Sequence, residues 1–370
     1  MALTRRTATI LLAGLFGWTG AAGAQRVIEG PATDVPLKWT LTREWSVGGA
    51  EDDDLVLTQL WAKDLAVDGD RLFVNDRAEW RVAVYGADGK RRGSIGRKGE
   101  GPGEFLMPGA IAIAPDRSLY ADDYGRERLL RFNAAGDLID ESPRAAKGNV
   151  FAFRFLTDGS RVGRYTTRDS AFVGIRRGEQ RVRLAALKVS PTKSTPRVCR
   201  VTDYPVAPIF ESAPTWDATG TTVVVSTGAY AVDVFAGDSM THRLSRAKLQ
   251  RRSTPALART QVGNGPILQL IGMPPCTVPA DMILAVAEIA DVIPAYSALT
   301  LDHKGRVWAT HFTVGDEPGK ADVYDLRSGY LGTVNLGSAR PAAFFPDGRM
   351  VSIELDEDEV PMIRVYRITP

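Results

Sequence analysis

Residues Asp64-Leu-Ala-Val-Asp68-Gly69-Asp70-Arg-Leu-Phe-Val74, then Arg81-Val-Ala-Val-Tyr85 and Ala87-Asp88-Gly89, hold the pattern that decides the fold. Apolar and polar residues alternate within the runs, as in strands with one buried face, and Asp-Gly pairs suit tight hairpin turns. The pattern returns at Ala110-Ile-Ala-Ile-Ala-Pro-Asp116, Leu119-Tyr-Ala-Asp122, Leu129-Leu-Arg-Phe132 and Ala135-Gly136-Asp137. Weaker copies turn at Asp158-Gly159 and between Asp217 and Gly220. Stronger ones follow at Asp302 to Gly305, with Arg306-Val-Trp-Ala after it, and at Asp347-Gly348. The first-turn aspartates lie 48, 42, 59, 85 and 45 residues apart. A repeated four-stranded antiparallel sheet of about 45 residues is the size of a propeller blade.

Six copies are visible, which predicts an all-β, six-bladed β-propeller occupying residues 25–370 as one domain. The last copy has only three strands, near 342–345, 349–354 and 362–367. The alternating segment Lys38-Trp39-Thr-Leu41-Thr-Arg-Glu-Trp45-Ser-Val47 is expected to supply the fourth and close the ring, leaving no long exposed edge. The 85-residue interval contains a stretch, 246–294, without the turn chemistry. Within it Asp281 to Ile289 carries apolar residues at helical spacing, which predicts an insertion with one short helix and Asp281 as its N-cap. A seventh blade is the alternative for this stretch.

Arg5 and Arg6, the apolar run Ala8 to Trp18 and the sequence Ala22-Gly23-Ala24 read as a secretory signal peptide over residues 1–24. Its removal leaves 44 basic and 44 acidic residues, so no electrostatic drive toward nucleic acid or an anionic bilayer is expected. The basic cluster Arg243, Arg246, Lys248, Arg251 and Arg252 reads as a solvated face. Two cysteines remain in an exported chain, which predicts a Cys199–Cys276 disulfide. A monomer, periplasmic or secreted, with no membrane insertion after leader cleavage, is expected.

The segment Arg97-Lys98-Gly99-Glu100-Gly101-Pro102-Gly103-Glu104-Phe105, with Pro108 and the strand-turn-strand up to Phe132, resembles the linker and blade of NHL-type repeats. The C-terminal run from Gly348 through Pro361 to Ile368 resembles the final blade of exported bacterial six-bladed propeller proteins. The resemblance implies the fold and leaves activity open. Related propellers include ligand- and protein-binding modules, lactonases with a central calcium and amidating lyases with zinc on histidines.

Meander topology puts the short Asp-Gly turns at one end of the ring and the longer second turns and inter-blade links at the other. Loops on a rigid scaffold carry function, so the long-loop face and the channel mouth are the expected site. Asp76, Trp80, Asp123, Tyr124, Tyr165, Tyr230 and His311 fall there and are the candidate binding residues. Asp76 and Asp123 are also the ligands for a channel calcium, if one is bound. The competing reading has each carboxylate satisfying loop amides or an arginine such as Arg81 or Arg126. Glu354 and Asp356 to Glu359 read as a solvated turn. Topology points His303 and His311 toward opposite ends of the ring, against a zinc triad with His242. The aromatics Trp61, Phe73, Phe132, Trp308 and Tyr366 read as inter-blade core. The expected role is therefore a non-catalytic ligand- or protein-binding module, with a small molecule or an envelope protein as partner. The alternative is a calcium-dependent, lactonase-like hydrolase at the channel mouth. A structural element of an envelope assembly, contacting through 246–294, is a third reading.

Overall fold

A computed structural model describes residues 26–370 apart from 53–54, 56, 58–59, 145–148, 167–170, 188–191, 212–214 and 269–275. The expected leader lies outside the described residues. Six four-stranded antiparallel sheets follow one another. Blade 1 runs Leu65–Asp68, Arg71–Asp76, Arg81–Gly86 and Arg91–Ile95, and blade 2 runs Pro108–Ile113, Leu119–Asp123, Arg128–Phe132 and Leu138–Pro143. Blade 3 comprises Asn149–Phe155, Arg161–Thr166, Ala171–Arg177 and Gln180–Leu187. Blades 4 and 5 start at Thr215–Thr219 and Tyr296–Leu301 and finish at Ser239–Arg246 and Gly329–Gly337. Blade 6 takes Pro341–Phe344, Met350–Leu355 and Pro361–Thr369 from the C-terminus and Thr40–Gly48 from the N-terminal region, paired antiparallel from Thr40 opposite Thr369 to Gly48 opposite Met362 with one register shift between Arg43 and Trp45. The ring closes where the alternating N-terminal segment predicts.

Apolar alternation packs blade on blade. Leu65, Leu72 and Val74 meet Val351, Ile363 and Val365 between blades 1 and 6, and Phe73, Val82 and Phe105 meet Ile111, Leu130 and Phe132 between blades 1 and 2. The seam between blades 2 and 3 is the leanest, with Ala110, Ala112, Leu129 and Phe153 as its buried residues among those described. A strand not expected from the sequence, Arg26–Gly30, adds in parallel to the outer edge of blade 4, with Arg26 opposite His242 and Gly30 opposite Arg246. It covers an edge that would otherwise expose unpaired backbone groups.

The insertion differs from the expected single helix. It holds two, α1 (Pro255–Val262) and α2 (Ala280–Val286). Thr254 caps α1 by accepting the Leu257 amide, with Pro255 at the first helical position, where its missing N–H costs nothing. Asp281 is not an N-cap. It lies in the first turn of α2, behind Pro279, and pairs with Arg259 of α1. Ile209, Phe210, Ala258 and Ile293 form a small core over Val314 and Phe312, so the insertion and the 193–211 link rest together on the long-loop end of blade 5. Cys199 and Cys276 are bridged, with Cα atoms 5.7 Å apart and a sequence separation of 77. In the chain-entropy picture, closing such a loop contributes about 4 kcal/mol.

Candidate functional site

The first strands of the six blades surround a central channel of about 210 Å³. Small side chains at Ala66, Ala112, Ala218 and Ala342 keep it open, and Arg154 and Asp217 bring the charges. Arg154 Nε lies 3.5 Å from Asp217 Oδ1, while the other oxygen of Asp217 accepts the Leu301 amide at 2.8 Å. Arg154 Nη2 also donates to the Ala62 carbonyl at 3.3 Å, which ties the channel to a turn at its long-loop mouth.

That turn is one 3-10 turn, Ala62–Asp64, stopped by the extended backbone of Leu65. Asp64 accepts the Trp61 amide at 3.0 Å and holds Trp61 and Lys63 at the surface. Its other oxygen accepts Asn75 Nδ2 at 3.1 Å and Arg77 Nη2 at 2.7 Å. Asn75 also donates to the Gly109 carbonyl of blade 2. A Cβ on Gly109 would fall 2.3 Å from the Tyr124 ring, so only glycine lets that ring lie against the strand. The Arg144 guanidinium sits 3.9 Å over the Tyr124 ring, with Nε 3.0 Å from Asp122 Oδ1 in an ion pair. Lys63 and Arg77 stand 5.0 and 5.1 Å from the Trp61 ring, which is 45 % exposed. Cations over aromatic faces in this way are attracted by the ring quadrupole.

Three cations, two buried carboxylates and two aromatics thus share one mouth, and their polar capacity is not used up. Asn75 Oδ1, Arg77 Nε and the Tyr124 hydroxyl are all buried without a hydrogen-bond partner. Such groups cost stability unless something else satisfies them. Burial pushes the Asp122 carboxyl up to about 6, reinforced by Asp123 and opposed by Arg144 and Lys63. Burial also lowers the Lys63 ammonium and raises the Tyr124 phenol. Asp122 can therefore hold or release a proton close to neutral pH, and present either a donor or an acceptor to a ligand hydroxyl.

Of the residues expected at the site, Tyr124 belongs to this cradle. Asp76 does not: its oxygens take Arg81 Nε at 2.9 Å and the Glu79 amide at 3.2 Å. Asp123 accepts the amides of Leu106, Met107 and Gly125. Successive residues of a strand point to opposite sides, so the groups turned into the mouth are the preceding ones, Asn75 and Asp122. Trp80 lies on the seam between blades 1 and 2 under the Lys98 ammonium, 4.5 Å from its ring. Tyr165 is a correction: it sits in a strand rather than a loop, is 1 % exposed and stacks on Phe172. Trp61 is the converse, a surface residue of the mouth rather than inter-blade core. Among the described residues no group of three or more His, Cys, Asp or Glu side chains is arranged to hold a metal ion.

Tyr230 and His311 come together elsewhere, between blades 4 and 5, with ring centroids 5.9 Å apart. They border a buried network centred on Asp322. Its carboxylate accepts Arg246 Nη1 at 2.9 Å on both oxygens, Tyr296 at 2.9 Å and Thr333 at 2.7 Å, with His311 Nε2 3.0 Å away. Burial pushes this carboxyl up, but the partners, His311 foremost, outweigh it and hold Asp322 below the ordinary range. Arg246 also reaches Asp34, so the N-terminal segment is fastened to both blades. Arg246 is thereby corrected from solvated to wholly buried. Glu354 likewise leaves the expected solvated turn: it is buried in its strand, accepting Ser338, Ser352, Arg364 and Tyr366.

Comparison with known proteins agrees with this architecture. The family model described as a 6-bladed beta-propeller (DUF5128) matches residues 54–150. The chain is a six-bladed propeller. The crystal structure of protein BF0058 from Bacteroides fragilis superposes with a TM-score of 0.52 over 93 % of this chain and 99 % of that one, at 13 % identity. A DUF4221 member from Bacteroides vulgatus aligns with 90 % of this chain and 98 % of its own, at 10 % identity and a TM-score of 0.49. No curated protein matches the sequence.

Proposed function

We propose that this propeller is an exported, non-catalytic binding module that takes a small polyhydroxylated ligand at the channel mouth between blades 1 and 2. The observation that carries the reading is the set of buried polar atoms without a hydrogen-bond partner on Asn75, Arg77 and Tyr124, beside the half-exposed Trp61 ring. A sugar-like ligand presents hydroxyls that both donate and accept, and an apolar ring face for the indole. The calcium-dependent hydrolase is the weaker reading, because Asp76 and Asp123 spend their oxygens on Arg81 and on loop amides. Export is supported by the leader-like N-terminus and by the Cys199–Cys276 bridge, which persists in oxidising compartments. The NHL-type kinship is part of the same proposal and rests on the Gly99 to Phe105 linker.

The test is a melting-shift screen of the mature chain against neutral sugars, sugar acids and short glycans, repeated with Trp61→Ala and Arg144→Gln. A ligand is expected whose stabilisation disappears in both variants. A stabilising ligand indifferent to both changes would move the site away from this mouth.

A further inference from the structure

A second constellation lies in the channel itself, below the mouth between blades 1 and 2, and does not rest on the sugar reading. The cavity of about 210 Å³ is walled by the middle and later parts of the first strands, among them Ala66, Ala112, Ala218 and Ala342. It therefore occupies the half of the ring nearer the Asp-Gly turns. Each first strand is the terminal strand of its sheet, so its inner edge turns backbone N–H and C=O groups to the channel. Those groups suit a polar ligand, while the alanine methyls between them leave room for a short apolar branch. A cavity of roughly 150 Å³ already holds a benzene-sized molecule, so the space here accepts a small ligand and excludes a large one.

Arg154 and Asp217 are the ionisable side chains among the described lining residues. They stand 3.5 Å apart, longer than a charge-assisted hydrogen bond of about 2.8 Å. They keep 23 and 15 % of their side-chain surface accessible although the blades enclose them. The pair leaves capacity on both partners. Each terminal nitrogen of a guanidinium carries a pair of N–H groups. Arg154 donates from Nη1 to the Phe153 carbonyl at 3.1 Å and from Nη2 to the Ala62 carbonyl, and points Nε at Asp217, so each Nη has a second N–H to offer. Asp217 Oδ2 accepts the Leu301 amide at 2.8 Å and Oδ1 faces Arg154, with further lone pairs on the carboxylate. Burial pushes the Asp217 carboxyl up, opposed first by Arg154 and then by the amides of Leu301 and Ala218. A second cation beside it favours the ionised form.

We propose that the channel cavity binds a small apolar α-amino acid as its zwitterion, with the carboxylate on Arg154 and the ammonium on Asp217. The charges decide the class. A ligand with a single charge would add an unmatched one to an enclosed pair that is already neutral, which is costly. A zwitterion carries both charged groups on one carbon, so it lies head to tail beside the pair and the site stays neutral. The alanine methyls then receive its short side chain.

The experiment is titration calorimetry of the mature chain with alanine and valine, and with propionate and ethylamine, which each keep one of alanine's charged groups. It is repeated with Arg154→Gln, Asp217→Asn and the surface control Arg92→Gln, and circular dichroism checks that each variant keeps its sheets. Alanine, valine or both are expected to bind at one site per chain, with propionate and ethylamine at least about tenfold weaker. Arg154→Gln and Asp217→Asn are each expected to weaken amino-acid binding by a similar factor, and Arg92→Gln to leave it unchanged. The analogue comparison uses the unaltered chain, so it decides even where a variant does not fold. Propionate or ethylamine binding as tightly as the amino acids would make this a simple ion site and overturn the proposal. So would absence of binding by both amino acids, or binding that survives both substitutions.

Discussion

Asp122 and Asp322 are both buried aspartates flanked by an arginine and tyrosines, and they behave in opposite ways. Asp322 lies between blades 4 and 5 with Arg246, Tyr296 and Thr333 all donating to it, and its carboxyl is held low. Asp122, on the long-loop end of blade 2, has Arg144 as an ion-pair partner at 3.0 Å, yet burial and the neighbouring Asp123 charge push its carboxyl up to about 6. The difference separates a fastening from a site. A carboxylate held low by its donors stabilises one arrangement, whereas one pushed up by burial costs stability that a ligand can return.

The largest effect expected from breaking this comparison is at the fastening. Asp322→Ala leaves Arg246 charged and buried, and is expected to cost about 4 kcal/mol in denaturant unfolding at pH 7. A loss near zero would mean that the network contributes nothing. Asp122→Asn should move the other way. The ionised form is disfavoured in the fold by roughly two pKa units, so the variant is expected to gain about 3 kcal/mol at neutral pH. The sign follows from proton binding. Between the ordinary carboxylate value and about 6 the folded chain keeps a proton that the unfolded chain has lost, so the wild type loses stability as pH rises through that window. The advantage of Asp122→Asn should therefore vanish below about pH 4, and melts across pH 4 to 7 would show it. For Asp322 the linkage is reversed: its stabilisation is present above the ordinary carboxylate range and is lost as pH falls through its lowered folded value.

Lys63→Met gives a smaller test, because Lys63 is only partly buried. A gain below about 1 kcal/mol is expected, and a clear loss would show that the ammonium is a structural partner of Trp61 rather than a waiting donor. Trp61→Ala should change stability least, within about 0.5 kcal/mol, while abolishing ligand-induced stabilisation. A destabilisation several times larger would return Trp61 to the core reading.

How much of this was legible in the chain depends on the range of the interaction. Strand alternation and Asp-Gly turns are local, so blades 1, 2, 5 and 6 and the ring closure by Thr40–Gly48 could be read directly. The helical period of the insertion was visible near Asp281, but α1 was not, because its apolar face is short and its signal is the Thr254-Pro255 start. At the site, the doublets Asn75-Asp76 and Asp122-Asp123 end matching strands, and the sequence marks both pairs without saying which member turns inward.

The order of residues by itself thus determined the blade count, the closing strand and which end of the ring carries the long loops, since each follows from periodicity and chain direction. Only the tertiary structure decided which buried carboxylate is held low and which is pushed up. Asp322 is quenched by Arg246, 76 residues before it, and Asp122 is buried with Arg144 as its ion-pair partner, 22 residues after it, and Asp123 beside it. Hydrogen bonding depends on distance and angle between side chains brought together by packing, and neither can be read from spacing along the chain.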